Sequence, residues 1–329
     1  MKKILLTGGA GYIGSHIAVE LLQSNYEVVI VDNFSTSKPS IINNIKLITG
    51  KDLALVKGDV RDFSLMNDIF SKNDFYAVIH LAGYKAVAES VQNPINYYDN
   101  NLISTISLLK AMKDSDCRKI IFSSSATVYG EPKDLPLIES SQTLPVNPYG
   151  RTKLAIENIL KDVERSDNSW RIVSLRYFNP VASHPSGLIN EDSLGAPNNL
   201  FPILLKVAKG ELDCIQIFGN DYPTKDGTAK RDYIHIKDLS CGHLAALEKI
   251  ENIGYDVFNI GTGKSHSVLE VLNEFENALG KSLNKKIAPR REGDAIEYLA
   301  DVSYAKKILG FQTTKTLKDM CQDAVRHIK

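Results

Sequence analysis

Short apolar runs alternate with stretches of helical periodicity through the first half of the chain. The apolar runs are rich in β-branched residues and lack polar alternation, which is typical of strands covered on both faces. We predict six such strands, at Lys3–Thr7, Glu27–Asp32, Ala54–Asp59, Ala77–Ala82, Lys119–Ser124 and Arg171–Tyr177. We predict helices between them at Ser15–Gln23, Leu65–Phe70, Ile95–Met112 and Tyr149–Glu164. This alternation predicts an α/β fold with a doubly wound parallel sheet of the Rossmann type.

The pattern changes after about residue 180. Prolines and glycines, including Gly195 and Pro197, interrupt an irregular stretch that ends near Pro202. Shorter elements follow, and we predict them at Ile215–Phe218, Arg231–Ile236, Leu239–Ile250, Val257–Ile260, Val268–Leu279 and Leu317–His327. We therefore predict two domains, an α/β domain over residues 1–180 and a smaller mixed α/β domain over residues 181–329.

Composition restricts the classes of partner. Lys plus Arg and Asp plus Glu number 39 each, so the net charge is zero and no broad basic surface for nucleic acid is expected. Anionic ligands would need a few local arginines. The four cysteines are far apart without CxxC pairs, which favours reduced thiols over disulfides or a metal site. No apolar run has the length of a membrane span, so we expect a cytoplasmic protein that does not associate with membranes.

A glycine-rich turn directly follows the first predicted strand. Gly8, Gly11 and Gly14 have the spacing G-x-x-G-x-x-G and open a predicted helix. Such a turn lets backbone N–H groups approach a pyrophosphate, whose negative charge the helix N-terminus favours. Asp32 ends the second strand, where a carboxylate binds ribose hydroxyls and repels a 2′-phosphate, which favours NAD over NADP. The alternatives are a turn without a ligand, and for Asp32 a simple strand-end turn residue.

The sequence also places a base and a cation on one predicted helix. Tyr149 and Lys153 are four residues apart, so the phenol and the ammonium group lie on the same face. A neighbouring cation and a positively charged nicotinamide both favour the phenolate, and a pKa lowered by about 3 units needs about 4 kcal/mol. Ser125 would hydrogen-bond the phenol or a substrate hydroxyl, with Ser123, Ser124 and Thr127 as alternatives. A surface helix pair is the other interpretation of the spacing.

Several longer motifs resemble the UDP-glucose 4-epimerase family of the extended short-chain dehydrogenase/reductase superfamily. Besides the turn at Gly8–Gly14 and the Tyr-x-x-x-Lys pair, they are SSSATVYG at 123–130, LAGYKAVAESVQ at 81–92, YYDNN at 97–101, LRYFNP at 175–180, HPSG at 184–187, PNNL at 197–200, IFGNDYPT at 217–224, RDYIH at 231–235 and APRREGD at 288–294. The resemblance extends over essentially the whole chain in the expected order. One departure is Gln216, where many members have a small residue.

The resemblance implies an NAD-binding first domain, a UDP-sugar-binding second domain, a permanently held NAD and usually a homodimer. It implies Tyr149 as the base, supported by Lys153 and Ser125. Together with the strand-end positions it gives as cofactor contacts Gly8, Gly11, Tyr12, Ile13, Gly14, Asp32, Asn33, Phe34, Ser35, Thr36, Ser37, Asp59, Val60, Leu81, Ala82, Gly83, Lys85, Asn100, Ser125, Tyr149, Lys153, Tyr177 and Phe178. It gives as substrate contacts Lys85, Ser125, Tyr149, Asn179, Asn199, Leu200, Gln216, Ile217, Phe218, Arg231, Arg291, Asp294 and Tyr298.

The residue types fit a UDP-sugar, although other interpretations stay open. Arg231 and Arg291 can bind a diphosphate through bidentate donors. They could instead pair with neighbouring carboxylates, Arg231 with Asp232 or Asp238 and Arg291 with Glu292. Asn199 precedes an apolar helical run from Leu200, so its amide and a helix N-terminus can meet a phosphate. Asn179-Pro180 could simply be a turn.

The expected reaction is inversion of C4 of UDP-glucose or UDP-galactose in galactose metabolism. Tyr149 takes the C4 hydroxyl proton while a hydride passes to NAD⁺, and the 4-keto sugar turns over before the hydride returns to its other face. In the resembling enzymes a bulky residue at the position of Tyr298 restricts the space at C2, so the resemblance implies that an N-acetyl group there is disfavoured. A dehydratase or decarboxylase on the same scaffold, a dehydrogenase that exchanges free NAD, and a non-enzymatic NAD-binding regulator are the alternatives.

Overall fold

The computed structural model describes residues 1–191, 199–291, 294–326 and 328, and it contains thirteen strands and eleven α-helices over those residues. The strands are β1 Lys3–Thr7, β2 Glu27–Asp32, β3 Ala54–Lys57, β4 Ala77–His80, β5 Lys119–Ser125, β6 Arg171–Tyr177, β7 Asn179–Val181, β8 Ile215–Phe218, β9 Lys230–His235, β10 Tyr255–Ile260, β11 Ser265–Ser267, β12 Lys285–Ala288 and β13 Glu297–Tyr298. The helices are α1 Tyr12–Gln23, α2 Ile41–Thr49, α3 Phe63–Ser71, α4 Val87–Gln92, α5 Pro94–Lys113, α6 Pro148–Ser166, α7 Leu200–Ala208, α8 Ile236–Lys249, α9 Val268–Leu279, α10 Ser303–Leu309 and α11 Leu317–Val325. None of these helices has both the length and the apolar character to cross a bilayer.

A seven-stranded parallel sheet forms the centre of the molecule, with the order β10-β6-β5-β4-β1-β2-β3. Alternate residues of its strands face opposite helical layers, so that Ile4 and Leu6 pack with α1 and α8 while Leu5 packs with α3, α5 and α6. Both faces are therefore covered, which explains the continuous apolar runs. The predicted doubly wound sheet is confirmed. The edge strand β3 differs, because most of its residues are exposed.

The remaining elements build a smaller mixed region. Strand β9 pairs with β7 and β13 in parallel and with β11 in antiparallel fashion, and β8 pairs with β12 in parallel. Helices α7, α9 and α11 bury a second core against these strands, centred on Phe201, Leu204 and Phe275. The predicted mixed C-terminal region is confirmed. Its last predicted helix ends at Val325, and the predicted end at His327 lies outside the described residues, as do Gly195 and Pro197.

The chain returns to the large sheet after residue 235. Helix α8 packs against α1, and β10 pairs with β6 from Tyr255↔Ile172 to Ile260↔Tyr177. Strand β10, which the sequence pattern groups with the smaller domain, thus covers the free edge of β6. The division at residue 180 stays a prediction, because the two regions are interleaved in sequence.

Candidate active site

The glycine turn brings β1, α1 and the loop after β4 into close contact. A Cβ atom at Gly14 would lie 2.5 Å from the Gly8 carbonyl oxygen, and one at Gly8 would lie 2.8 Å from the Ala82 nitrogen. Gly8 also has a φ of +68°, a conformation that favours glycine. Helix α1 starts directly after Gly11 with no acidic residue in its first turn, so its N-terminal N–H groups can meet an anion.

Asp32 lies beside this turn at the end of β2. Its carboxylate accepts hydrogen bonds from the Ala10 nitrogen at 3.0 Å, the Phe34 nitrogen at 2.8 Å and the Ser37 hydroxyl at 3.0 Å. These bonds tie the glycine turn to the loop after β2. A carboxylate has about four lone-pair sites, so one remains for a ribose hydroxyl. Asn33, Ser35 and Thr36 are exposed on the same loop.

The loops after β3 and β4 reach the same edge of the sheet. The Asp59 carboxylate accepts hydrogen bonds from Arg61 and Asn33, which lower its pKa to about 2, and Val60 is buried beside it. The Leu81–Lys85 loop faces the glycine turn across Gly8 and Ala82. The buried Asn100 donates to Asn101, which in turn bonds both backbone groups of Tyr84 and the Thr152 hydroxyl. Sequence reasoning missed Asn101, which pins this loop to α6.

Tyr149 and Lys153 face the end of β5 from the first turns of α6. The Lys153 ammonium donates a 2.6 Å hydrogen bond to the Ser123 carbonyl and lies 5.9 Å from the Tyr149 ring centroid. Ser125 accepts hydrogen bonds from the Thr127 backbone at 3.2 Å and the Thr127 hydroxyl at 2.9 Å. The spacing prediction that both side chains project into one space is confirmed by this geometry.

The electrostatics differ from the sequence-based expectation in one respect. Burial raises the pKa of Tyr149 above its ordinary value, and a hydrogen bond with Ser125 lowers it by a smaller amount. Burial also lowers the pKa of Lys153 to about 7, opposed by the charge of Glu157. The lysine is therefore only partly charged at neutral pH, and the chain alone does not lower the pKa of the phenol. The expected lowering needs a further positive charge beside Tyr149.

The neighbouring hydroxyls are held by other partners. Ser124 donates a 2.5 Å hydrogen bond to Glu157, and the hydroxyl of Thr127 donates to Ser125. The geometry therefore favours Ser125 over Ser124 and Thr127. Tyr177 is buried with its hydroxyl 2.5 Å from the His243 ring, so only its ring or backbone can reach a ligand. Phe178 is buried and follows it, with its nitrogen bonded to the Ile260 carbonyl.

The predicted substrate residues of the smaller region form two groups. In the first, Arg231 pairs with Asp294 and lies 5.4 Å from the centroid of Tyr298, whose hydroxyl donates to the Gly130 carbonyl. The alternative pairing of Arg231 with Asp232 or Asp238 is wrong. Asp232 accepts bonds from the 262–263 loop and Ala300, and Asp238 accepts bonds from Thr314 and Lys315. The ion pair with Asp294 holds the Arg231 guanidinium in place near the aromatic ring.

The second group surrounds β8 and the start of α7. The Arg291 guanidinium stacks 3.8 Å from the Phe218 centroid, while the alternative partner Glu292 lies outside the described residues. Ile217 is buried and Gln216 is exposed on the same strand. Leu200 is the first residue of α7 and Asn199 is its N-cap. Asn179 lies in β7, paired with Tyr233, so the alternative of a simple turn at Asn179-Pro180 is wrong.

Glu191, which sequence reasoning missed, connects the two sides of the cleft. It accepts hydrogen bonds from Lys85 at 2.9 Å and from the Asn199 amide at 2.8 Å. Its side chain is 7% exposed, and its second oxygen is buried without a hydrogen-bond partner among the described residues. The cofactor-side loop after β4 and the N-terminus of α7 therefore meet through one carboxylate.

These features fit a dinucleotide. The turn leaves no room for a side chain at Gly8 or Gly14, the helix N-terminus carries no competing acid, and Asp32 offers an acceptor at the end of β2. The Tyr149–Lys153 pair stands at the same carboxyl edge of the sheet, where ligands bind in such folds. Chemically, the arrangement can hold a nicotinamide dinucleotide and move a proton at Tyr149.

Known proteins share this architecture and sequence. The model of the NAD dependent epimerase/dehydratase family matches residues 4–261. A UDP-glucose 4-epimerase of Bacillus subtilis (strain 168) is 51% identical over 324 residues, which cover 98% of this chain and 96% of that protein. The crystal structure of UDP-glucose 4-epimerase from Bifidobacterium longum, in complex with NAD⁺ and UDP, has a TM-score of 0.96 and 50% identity, covering 99% of this chain and 98% of that one. The chain thus belongs to the NAD dependent epimerase/dehydratase family and, within it, to the UDP-glucose 4-epimerases.

Proposed function

We propose that this chain interconverts UDP-glucose and UDP-galactose by inverting C4 of the hexose, with NAD as a resident cofactor. The observation that carries this proposal is that Tyr149, Lys153 and Ser125 lie at the same carboxyl edge of the sheet as the glycine turn. The relatives of known activity at about half identity support the same substrate pair.

In this proposal Tyr149 exchanges the proton of the C4 hydroxyl, and Ser125 orients that hydroxyl. Bound NAD supplies the reversible hydride acceptor at C4. Lys153 fixes the end of β5 through the Ser123 carbonyl and, when protonated, stabilises the Tyr149 phenolate. Asp32 and the N-terminus of α1 hold the dinucleotide so that the 4-keto sugar is reduced before the cofactor can leave.

Inversion requires tight binding of the UDP part and weak binding of the hexose, because the hexose must turn over. Arg231 and Arg291 supply guanidinium donors for the diphosphate, and stacking on aromatic rings holds both side chains. Asn179, Asn199 and Gln216 offer amides for the uridine and phosphate. Tyr298 is half-buried and tied to Gly130, so it presents a fixed wall to the sugar and disfavours an N-acetyl group at C2.

A homodimer is part of the proposal. Ile95, Tyr98, Ile103 and Ile106 of α5 are exposed although apolar, and Ile95 is 80% exposed. Val91 of α4 extends this strip, and together they form an apolar surface that a second copy can cover. The measurement is the molar mass in solution by light scattering. A parent chain that stays monomeric would contradict the dimer, and an Ile95→Lys variant that stays dimeric would contradict this surface as its interface.

The remaining proposals concern organisation and setting. Residues 1–180 hold most of the NAD site and residues 181–329 most of the UDP-sugar site, as the positions of Asp32 and Arg231 suggest. The four cysteines are free thiols, which fits the reducing cytoplasm, and a role in galactose metabolism follows from the proposed substrates. Fractionation of the source cells with an antibody to this chain tests the compartment.

The function is tested by incubating the purified protein with UDP-galactose and no added NAD. We expect UDP-glucose to form, as followed by NMR, and NAD to be released when the protein is denatured. A Tyr149→Phe variant should form UDP-glucose at least about a hundredfold more slowly. Loss of water or CO₂ from the sugar would indicate a lyase, and dependence on added NAD would indicate a dehydrogenase. Bound NAD without any turnover would indicate a regulator.

A further inference from the structure

Three successive residues at the end of β5 are each held by one residue of α6. Ser125 hydrogen-bonds Tyr149, the Ser123 carbonyl accepts from Lys153 at 2.6 Å, and the Ser124 hydroxyl donates to Glu157 at 2.5 Å. Tyr149, Lys153 and Glu157 are four residues apart in turn, so they share one face of the helix. The helix face that carries Tyr149 and Lys153 therefore makes a third contact with the end of β5, through Glu157.

The third contact, between Ser124 and Glu157, is buried, and both carboxylate oxygens of Glu157 have hydrogen-bond partners. The Glu157 and Arg176 side chains are 3% and 6% exposed, and Arg176 binds both oxygens of Glu157, at 3.0 and 2.7 Å. Arg176 also donates to the Tyr129 hydroxyl and to the Glu139 carbonyl. A planar guanidinium held at several points allows little movement of the carboxylate, so Glu157 is a fixed anchor.

We propose that Glu157 is a positioning residue for the proposed epimerisation. With Arg176 it fixes the register of α6 against Ser123–Ser125, and it places a negative charge one helical turn from Lys153. This inference rests on the proposed function, because it assigns Glu157 a role through Tyr149, Lys153 and Ser125. A buried pair kept only for stability would need no contact to the strand end.

The charges around the pair determine the expected pH behaviour. The titratable and charged groups that face Glu157 and Lys153 are Arg176 on β6, Tyr255 on β10, Tyr129 after β5, His80 on β4 and Tyr149 on α6. Glu157 is the one that raises the pKa of Lys153, which burial lowers to about 7. Without that charge Lys153 loses its proton at lower pH, and the phenolate loses its nearby cation at lower pH.

Two variants separate the effect of the α6 register from the effect of the Glu157 charge. Ser124→Ala removes the strand contact and keeps Glu157 paired with Arg176, so we expect kcat to fall about tenfold with KM within about twofold. Glu157→Gln removes the charge, so the loss of kcat at high pH should begin at lower pH. Ultraviolet titration of Tyr149 in the NAD-bound protein, taken as the difference from Tyr149→Phe, should show its pKa raised in Glu157→Gln, because the neighbouring Lys153 is then charged over a narrower range of pH.

Asp238→Asn is the matched control, because Asp238 is also a buried carboxylate and its hydrogen-bond partners are Thr314 and Lys315. It should lower stability while leaving kcat and its pH profile unchanged. Parental kcat in Ser124→Ala would overturn the proposal, and this variant decides the matter even where Glu157→Gln does not fold. A parental pH profile and Tyr149 titration in folded Glu157→Gln would overturn it too. A parent chain without epimerase activity would refute the proposed function instead, and the Tyr149 titration would still test the role of Glu157.

Discussion

Replacing Asp32 by Asn tests how the chain retains its cofactor. The Asp32 carboxylate is 8% exposed and accepts three hydrogen bonds, from Ala10 in the glycine turn and from Phe34 and Ser37 in the next loop. Phe34 has a φ of +59°, which is uncommon for a residue with a side chain and is held by the bond to Asp32. The amide oxygen of an asparagine can keep the bonds from Phe34 and Ser37, and the NH₂ group must then face the Ala10 N–H.

The magnitude follows from these contacts. The Ala10 N–H then faces a donor, which lowers the free energy of unfolding by about 1–3 kcal/mol. If Asp32 binds NAD as proposed, a ribose hydroxyl loses its bond to a charged acceptor, which costs about 1.5–3 kcal/mol of binding free energy. That range is about 10- to 150-fold in the dissociation constant of NAD. With the negative charge removed, a 2′-phosphate is no longer repelled, so the preference for NAD over NADP should narrow.

The assay compares the NAD content of the two proteins after identical gel filtration. We expect the parent to release NAD on denaturation and Asp32→Asn to release much less, with activity restored by added NAD. Asp62→Asn is a suitable control, because this carboxylate caps α3 through Leu65 and asparagine is an equally good cap. Full retention of NAD by Asp32→Asn after extensive dilution would refute the assigned role of the carboxylate.

The other predictions concern catalysis, specificity and pH. Tyr149→Phe should lower kcat by about 10²–10⁴-fold with bound NAD retained; steady-state rates that stay within a few-fold of the parent would exclude Tyr149 as the base. Tyr298→Ser should raise kcat/KM for UDP-N-acetylglucosamine by about tenfold or more, because removing the ring frees space beside the sugar; efficient turnover of that substrate by the parent would contradict the assigned wall. Burial lowers the pKa values of His16, His80 and His243 to about 3, 3 and 4. Their unfolded value is about 6.5, so each contribution to stability is complete above that pH and falls by about 1.4 kcal/mol per pH unit below it. Urea unfolding at about pH 7 and pH 5 measures this, and equal free energies would contradict it.

The large sheet could be predicted because its strands are buried on both faces. Strands β1, β2 and β6 have the predicted bounds, while β3 and β4 end two residues earlier, because the chain leaves the ladder toward the ligand edge. The short strands β7, β11 and β13 carry no periodicity over two or three residues, so their pairing partner β9 decides their structure. Strand β10 likewise joins the large sheet by pairing with the free edge of β6. Because β6 is distant in sequence, the local pattern around β10 does not reveal this partner.

The site shows the same division between local and non-local information. Spacing alone predicts that Tyr149 and Lys153 share a helix face, and position alone places Asp32 beside the glycine turn. The pairs Arg231–Asp294, Glu157–Arg176 and Lys85–Glu191 join residues from different elements. Such pairs depend on tertiary packing, so the carboxylate nearest in sequence does not predict the partner of an arginine or lysine. The alternative that Arg231 pairs with Asp232 or Asp238 is wrong for this reason.

Activation of Tyr149 as the proposed base also depends on groups outside its own stretch of sequence. Burial raises the pKa of Tyr149 and lowers that of Lys153 to about 7, so both groups tend toward their neutral forms in the chain itself. A phenolate at neutral pH therefore requires an added positive charge in the cleft, and an oxidised nicotinamide ring is such a charge. The proposed retention of the cofactor at Asp32 and the proposed proton transfer at Tyr149 are then coupled. A chain stripped of NAD should hold Tyr149 protonated at neutral pH, and ultraviolet titration before and after NAD is restored would show whether the two are linked.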